Sequence, residues 1–287
     1  MPKSKILIQL DSDRHTSTFD SVVAIDAEVA QLLRHSGVEP DDVESLVHGA
    51  IFTRGPDDLK NTAIFVGGKD MNQGERLLGK ICDTFLGPLS VSVMLDANGS
   101  NTTAAAAVLC AEKHISLCES KVAVLGGTGP VGQRIARLAA RKGAQVMVGS
   151  RRLDRSESVC QQLAKQTPST AVSPFSTNDP DWVNQLAGID VLFGAGAAGR
   201  ELISSDQLGK LPGEKILVDL NAVPPAGIPG VDVMASASAK DGNICYGAIG
   251  VGALKMKIHK SCIRLLFTAN NLVLDAEQIY DAGAQLV

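Results

Sequence analysis

The sequence predicts a mixed α/β protein of two domains, the first an alternating α/β unit and the second a doubly wound parallel sheet. Three observations lead there. Short apolar runs alternate with segments of helical period along nearly the whole chain. A cluster of turn formers at 96–103 (DANGSNTT) interrupts that alternation, which begins again after residue 120. Directly behind this second start, a glycine loop joins an apolar run to an amphipathic segment. The chain has 287 residues, comfortable for two domains of ordinary size.

In the first part, residues 5–10 (KILIQL) read as a strand. Residues 20–33 carry apolar side chains at 22, 23, 25, 29, 32 and 33, close to helical period, and read as a helix. Residues 62–68 (TAIFVGG) are a buried-strand run. Residues 70–85 read as a helix with Met71, Leu77, Leu78 and Ile81 inward, and 89–95 as a strand. After the polar cluster, 104–114 read as a helix capped by Ser100 or Asn101, placed to bridge two domains.

In the second part, 122–127, 144–150, 189–193 and 215–220 read as strands, with helices at 131–141 and 157–165. A proline turn follows at 221–230, and 258–287 return to two helices that fold back on the first domain. The expected boundaries are therefore 1–110 plus 258–287, and 111–257.

Composition narrows the function classes. Apolar residues make up 45% and charged residues 20%, as in ordinary globular proteins. A formal net charge of −4, with no Lys/Arg run, argues against a nucleic-acid surface. The N-terminal apolar run is too short for a signal peptide, and no stretch reaches the roughly 20 apolar residues that span a bilayer. No membrane association is expected, and the cytoplasm is the expected location. Six cysteines without CxxC spacing read as buried thiols, and five scattered histidines leave no metal motif.

Residues 126–132 (GGTGPVG) satisfy GxGxxG with Gly127, Gly129 and Gly132. Gly127 permits the turn off the strand, Gly129 lets backbone approach a pyrophosphate, and Gly132 lets the helix pack on the sheet. Free N–H groups at the helix start, around Thr128, Pro130 and Val131, would hold the phosphates, and Pro130 suits the first helical position. Alone the motif is weak. Between an apolar strand and an amphipathic helix it predicts a Rossmann-type dinucleotide domain. At the end of the next strand an NAD site usually carries an acid for the ribose hydroxyls. Here stand Ser150, Arg151 and Arg152, and arginine offers a 2′-phosphate a forked, charge-assisted contact. NADP is the expected cofactor, with NAD possible. One of the arginines, Arg152 or Arg155 before Arg151, is expected to be merely solvated. Ala195 and Gly196, beyond a later strand, and Asn221 complete the expected cofactor residues.

Six segments, IFTRG (51–55), TAIFVGG (62–68), LDANGSNTTAAA (95–106), GGTGPVG (126–132), NAVPPAGI (221–228) and GAIGVGALKMKIH (247–259), run in order along the chain. Through them the sequence resembles the NADP-dependent methylene-tetrahydromethanopterin dehydrogenases of methylotrophic bacteria. The resemblance implies oxidation of methylene-tetrahydromethanopterin, in some members methylene-tetrahydrofolate, to the methenyl form, with hydride passing to NADP in one-carbon metabolism. It implies two α/β domains with the pterin in the cleft between them, and a homo-oligomer, expected to be a trimer. Lys255 matches a family lysine and is expected to orient the pterin, because a cation beside the developing positive charge would otherwise oppose the reaction. Lys257, two residues on, should lie on another face. Asp20, Thr53, Arg54, Asp96, Asn98, Asn101 and Thr102 are the remaining expected substrate contacts. Asp20 could equally be a helix cap, and the residues of 96–102 could equally serve loop and capping chemistry. Two alternatives stay open: another two-domain NADP dehydrogenase of shikimate or folate type, or a non-catalytic NADPH-binding sensor.

Overall fold

The computed structural model describes residues 3–167 and 171–287. The chain divides into two compact units, Met1–Thr102 with Met256–Val287, and Thr103–Lys255. In chain order the first unit opens with β1 (Ile6–Asp11), α1 (Thr18–Asp26), β2 (Gln31–Ser36), α2 (Val43–Ile51), β3 (Thr62–Gly67), α3 (Met71–Thr84) and β4 (Ser92–Leu95). Helix α4 (Ser100–Glu112) leads into the second unit. There follow β5 (Lys121–Leu125), α5 (Pro130–Arg141), β6 (Gln145–Ser150), α6 (Leu153–Gln166), β7 (Val172–Ser176), α7 (Trp182–Gln185) and β8 (Val191–Gly194). Then come α8 (Ser205–Leu208), β9 (Ile216–Asp219), β10 (Ser236–Lys240) and β11 (Asn243–Tyr246). The chain ends with α9 (Ala248–Leu265), β12 (Val273–Leu274) and α10 (Ala276–Ala284).

The first unit is a five-stranded parallel sheet in the order β12-β4-β3-β1-β2. One face packs Ile8, Leu10, Ile64, Val66, Val93 and Leu95 against Val47, Ile51, Leu77 and Ile81 of α2 and α3. The side-chain period of two turns the alternate residues of each strand to the opposite face. Helices here start on side-chain oxygens. Asp70 accepts from the N–H groups of Asn72 and Gln73 at 2.9 and 3.2 Å to cap α3, a contribution of about 1 kcal/mol.

The helix expected over 20–33 is corrected. Helix α1 stops at Asp26, Glu28 takes a left-handed φ of 69°, and Gln31–Ser36 is strand β2. The apolar spacing fits a helix, but β1 offers an open edge, and 31–36 pairs with it in parallel from Ile6↔Gln31 to Asp11↔Ser36. Tertiary pairing overrides local periodicity here. Val22, Ile25 and Leu33, counted toward that period, are exposed. The cap of α4 is corrected too. The Asp96 carboxylate, ahead of the expected Ser100 or Asn101, accepts the N–H groups of Asn101 and Thr102 at the helix start.

The second unit is a seven-stranded sheet in the order β10-β11-β9-β8-β5-β6-β7, parallel except for the β10–β11 pair. Without β10 this is the 3-2-1-4-5-6 order of the Rossmann fold. Strand β7 gave no signal in the sequence because Pro174 interrupts it. At the edge of a sheet proline costs no ladder hydrogen bond on its outer side, so the strand forms. The expected pair of C-terminal helices is observed as α9 and α10, with the short β12 between them. Helix α9 begins earlier than expected, at Ala248. Among the described residues, no helix is long and apolar enough to cross a membrane.

The cysteines do not all fit the expected buried thiols. Cys110, Cys160, Cys245 and Cys262 are buried, Cys82 is half-buried, and Cys118 is exposed. Burial pushes the Cys110 and Cys160 thiols up to about 11 and Cys262 to about 12. Thiolate is the reactive form. Titration of the native protein with a chromogenic disulfide should therefore show one fast thiol. Cys118→Ala should abolish that phase and leave the slow ones unchanged.

Candidate functional site

In an open parallel sheet, ligands bind beyond the carboxyl ends of the strands where the strand order reverses. In the second unit that point lies between β5 and β8. A cleft of about 1050 Å³ opens there, at the upper end of small-molecule sites, as a dinucleotide requires. Thr128, Gly129 and Pro130 line it from the loop after β5. Ser150, Arg151 and Arg152 come from the end of β6, and Ala195 and Gly196 follow β8.

The glycines divide the work differently from the expected assignment. The residue in left-handed backbone is Gly126, with φ 70°, so it makes the turn that sequence reasoning gave to Gly127. A Cβ on Gly127 would lie 2.8 Å from Val148 Cγ1, so that position is small for packing against β6. On Gly132 a Cβ would collide with the Gly126 carbonyl oxygen, which is the close helix approach expected of it. Gly129 differs from all of these. A Cβ there comes no closer than 3.4 Å to any protein atom, and the residue lines the cleft. Its missing side chain leaves space for a ligand, not for the protein. It is also the N-cap of α5 and has no side chain with which to close the helix start. The first N–H groups of that helix thus face a cleft suited to phosphate. The residues present fit a dinucleotide.

At the ribose end the two arginines separate. Arg152 Nε donates to Asp154 Oδ1 at 3.0 Å, an exposed pair in which the Arg152 hydrogen bond holds the Asp154 carboxyl below its usual range. Arg151 has no carboxylate partner among the described residues, and no acid ends β6. Ser150 Oγ accepts from the Arg152 N–H at 3.3 Å and shapes this turn. Arg155, Thr177, Asn178, Arg200 and Glu201 also line the cleft, although apart from Arg155 the sequence reading passed over them. Thr177 and Asn178 directly follow β7, so recognising that strand would have found them. Val131 and Asn221 do not line the cleft. Asn221 accepts from the N–H groups of Gly199 and Val223 at 3.1 and 3.0 Å and donates to the Pro225 carbonyl at 2.7 Å. It holds the loop after β8 in place. Asp219 anchors the same region by accepting from Gly227 and Ile228, and burial raises its carboxyl above the usual range.

The expected substrate residues also fall into two groups. Asp96 is fully buried. Its Oδ1 accepts from Asn101 and Thr102 at 2.9 and 3.0 Å, and its Oδ2 from the Thr102 hydroxyl at 2.6 Å. Asn101 Nδ2 donates to the Leu95 carbonyl and to Asp275. Arg54 donates to the carbonyls of Asn61 and Ser4 at 2.8 and 3.0 Å, and Thr53 to that of Ala50 at 3.3 Å. These five hold backbone. Asn98 is different: it is exposed, left-handed with φ 53°, and pinned by its N–H to the Gly68 carbonyl at 2.6 Å. Asp20 is half-buried in the first turn of α1, where Ser17, not Asp20, is the cap. Its Oδ2 lies 3.7 Å from where a Gly67 Cβ would stand. Lys255 sits half-buried in the interior of α9, and Lys257 is exposed. Sequence reasoning missed His259, which is fully buried and stacks on Phe65 with ring centroids 5.6 Å apart. No group of three potential metal ligands occurs among the described residues.

The fold and the cleft define an α/β protein with a Rossmann-type dinucleotide unit. The model described as methylene-tetrahydromethanopterin dehydrogenase, N-terminal, matches residues 18–98, and that described as NADP oxidoreductase, coenzyme F420-dependent, matches 121–181. Over 98% of this chain and 99% of the relative, the sequence is 39% identical to the bifunctional protein MdtA of Methylorubrum extorquens AM1. Over 98% of each chain it is 31% identical to the NAD(P)-dependent methylenetetrahydromethanopterin dehydrogenase of the same organism. The chain belongs to the methylene-tetrahydromethanopterin dehydrogenase family. Among solved structures, shikimate 5-dehydrogenase from Listeria monocytogenes matches with TM-score 0.59 at 13% identity, covering 99% of this chain and 96% of that one. Quinate dehydrogenase from Corynebacterium glutamicum matches with TM-score 0.53 at 14% identity, over 98% and 99%. Both share the fold.

Two substitutions separate the glycine roles. Gly129→Ala should leave the melting temperature within a degree or two, since one methyl fits, yet weaken NADP binding roughly tenfold or more in calorimetry. Gly132→Ala should lower the melting temperature by several degrees, because backbone must move. Arg151→Ala should weaken NADP binding roughly tenfold while leaving NAD unchanged, and Arg152→Ala should do much less.

Proposed function

We propose that this protein transfers hydride from the methylene bridge of methylene-tetrahydromethanopterin to NADP, giving the methenyl form, in one-carbon metabolism. The observation that carries this reading is the match, over 98% of the chain, to a relative named for that dehydrogenase. The cleft between the ends of β5 and β8 supports the nucleotide half. Arg151, with no acid beside it at the end of β6, supports NADP as the preferred form, with NAD as a weaker alternative. When bound, NADP supplies the hydride acceptor, and the protein supplies position and field.

The chemistry asks little of protein side chains. The donor carbon lies between two nitrogens whose lone pairs stabilise the cation that forms, so no proton need be removed in that step. What matters is placing the donor carbon correctly. For this we assign Asp20, Asn98 and Lys255 to pterin contact and orientation. A carboxylate and an amide suit the N–H donors and carbonyl of a pterin ring. Asp96, Asn101 and Thr102 act one step back, by fixing the loop that presents Asn98. Methylene-tetrahydrofolate, with the same reacting ring, is the second substrate of this reading. A homo-oligomer, with a trimer as the expected size, belongs to it as well. The edge strand β2 is exposed on both faces, and Phe19, Val22 and Ile25 of α1 are exposed near it, which supports a protein partner on that side.

The test is the near-ultraviolet absorbance of reduced nicotinamide in four mixtures: each methylene pterin with NADP or NAD. Turnover with the methanopterin substrate and NADP is expected. NADPH binding without turnover in any mixture would discard the dehydrogenase and leave a sensor. Lys255→Ala and Asp20→Asn should each lower kcat/KM for the pterin by roughly 10- to 100-fold with NADP binding intact.

A further inference from the structure

Strand β1 carries two polar side chains on a buried sheet face. Gln9 is 1% exposed and Asp11 is not exposed at all, whereas their neighbours Ile8 and Leu10 enter the apolar core on the other face. A parallel sheet covered on both sides is ordinarily apolar at such positions. Both side chains are spent on one residue and its turn. Asp11 Oδ2 accepts from the Ser17 N–H at 2.9 Å, and Oδ1 from the Asp13 N–H at 3.0 Å. Gln9 Nε2 donates to the Ser17 carbonyl at 3.3 Å, and its Oε1 accepts from the Ser21 hydroxyl at 2.9 Å.

Ser17 is the N-cap of α1, and its hydroxyl oxygen accepts from the Asp20 N–H at 3.2 Å. In this nine-residue helix Ser21, Val23 and Ala24 are buried, and the Phe19 ring lies tilted against His259 with centroids 6.4 Å apart. Asp11 and Asp20 also meet at one place. Their Oδ2 atoms lie 3.3 and 3.7 Å from the position that a Cβ on Gly67 would take. That place is the junction of β1 and β3, where the strand order β12-β4-β3-β1-β2 reverses and ligands of such sheets bind.

We infer that Asp11 is a positioning residue for substrate binding: through Ser17 it sets the first turn of α1 and so aims the Asp20 carboxylate. This rests on the reading of Asp20 as a pterin contact. The position needs a carboxylate because two backbone N–H groups converge on it. An asparagine there keeps one acceptor and turns an NH₂ toward the other N–H. The chemistry of the reaction does not pass through Asp11.

The test uses the full chain with Asp11→Asn, Asp20→Asn, Ser17→Ala and the Asp11→Asn/Asp20→Asn double variant. KM for methylene-tetrahydromethanopterin, KM for NADP, kcat and melting temperature are measured for each. Asp11→Asn should raise the pterin KM about tenfold and leave the NADP KM within about twofold. In the double variant it should add less than about twofold to the effect of Asp20→Asn, since both act through one group. Multiplicative effects in the double variant, or equal shifts of both KM values, overturn the proposal. If Asp11→Asn does not fold, Asp11→Ser, which also loses the second acceptor oxygen, runs the same cycle with Asp20→Asn under the same criteria. If Asp20→Asn leaves the pterin KM unchanged, the assignment of Asp20 itself fails, and the inference with it. That outcome is distinct from an uncoupled Asp11.

Discussion

The close approach of backbone at the start of α5 is the constraint on which the nucleotide unit depends. Gly126 turns left-handed, Gly127 leaves room for Val148, and Gly132 lies against the Gly126 carbonyl. Gly126 also lies so close to Gly196 that a Cβ would stand 2.6 Å from its Cα, so the loops after β5 and β8 define each other. Only where side chains are absent can helix, turn and neighbouring loop converge this tightly. Gly129, which has space to spare, lines the cleft, and so does the tightly packed Gly126.

The first unit solves a related problem with polar groups. Loops at the carboxyl ends of β1 and β4 cannot rest on the sheet ladder, so buried side chains hold them. Asp96 ties the start of α4, and Asp11 with Gln9 ties the start of α1. Unpaired, such groups would cost several kcal/mol each, and fully bonded they specify one loop conformation. These buried anchors hold the segments that carry the exposed Asn98 and the half-buried Asp20. Arg54, half-buried, ties the chain ahead of β1 and β3 through the carbonyls of Ser4 and Asn61.

Much of this was legible in the sequence. The doubly wound second unit and the cleft beyond β5, with arginines after β6 in its lining, follow from apolar runs, glycine spacing and the residue after a strand. Those are local patterns. The errors have a shared physical origin. Residues 31–36 fit a helix by spacing and became a strand because β1 had an open edge. Strand β7 hid behind Pro174, which an edge position tolerates. Asp96, Asn101, Thr102 and Arg54 were expected at the substrate and Asn221 at the cofactor, but their partners include backbone groups of loops whose course only the folded chain reveals.

The sequence by itself determined the class of each unit, the family, and the nucleotide chemistry, because strand–loop–helix patterns and motif spacing are properties of short stretches of chain. Only the tertiary structure decided which polar side chains are anchors and which are displayed. A carboxylate such as Asp11 has the same chemistry in either role. What differs is whether backbone N–H groups from elsewhere converge on it, and that is set by strand order and loop closure.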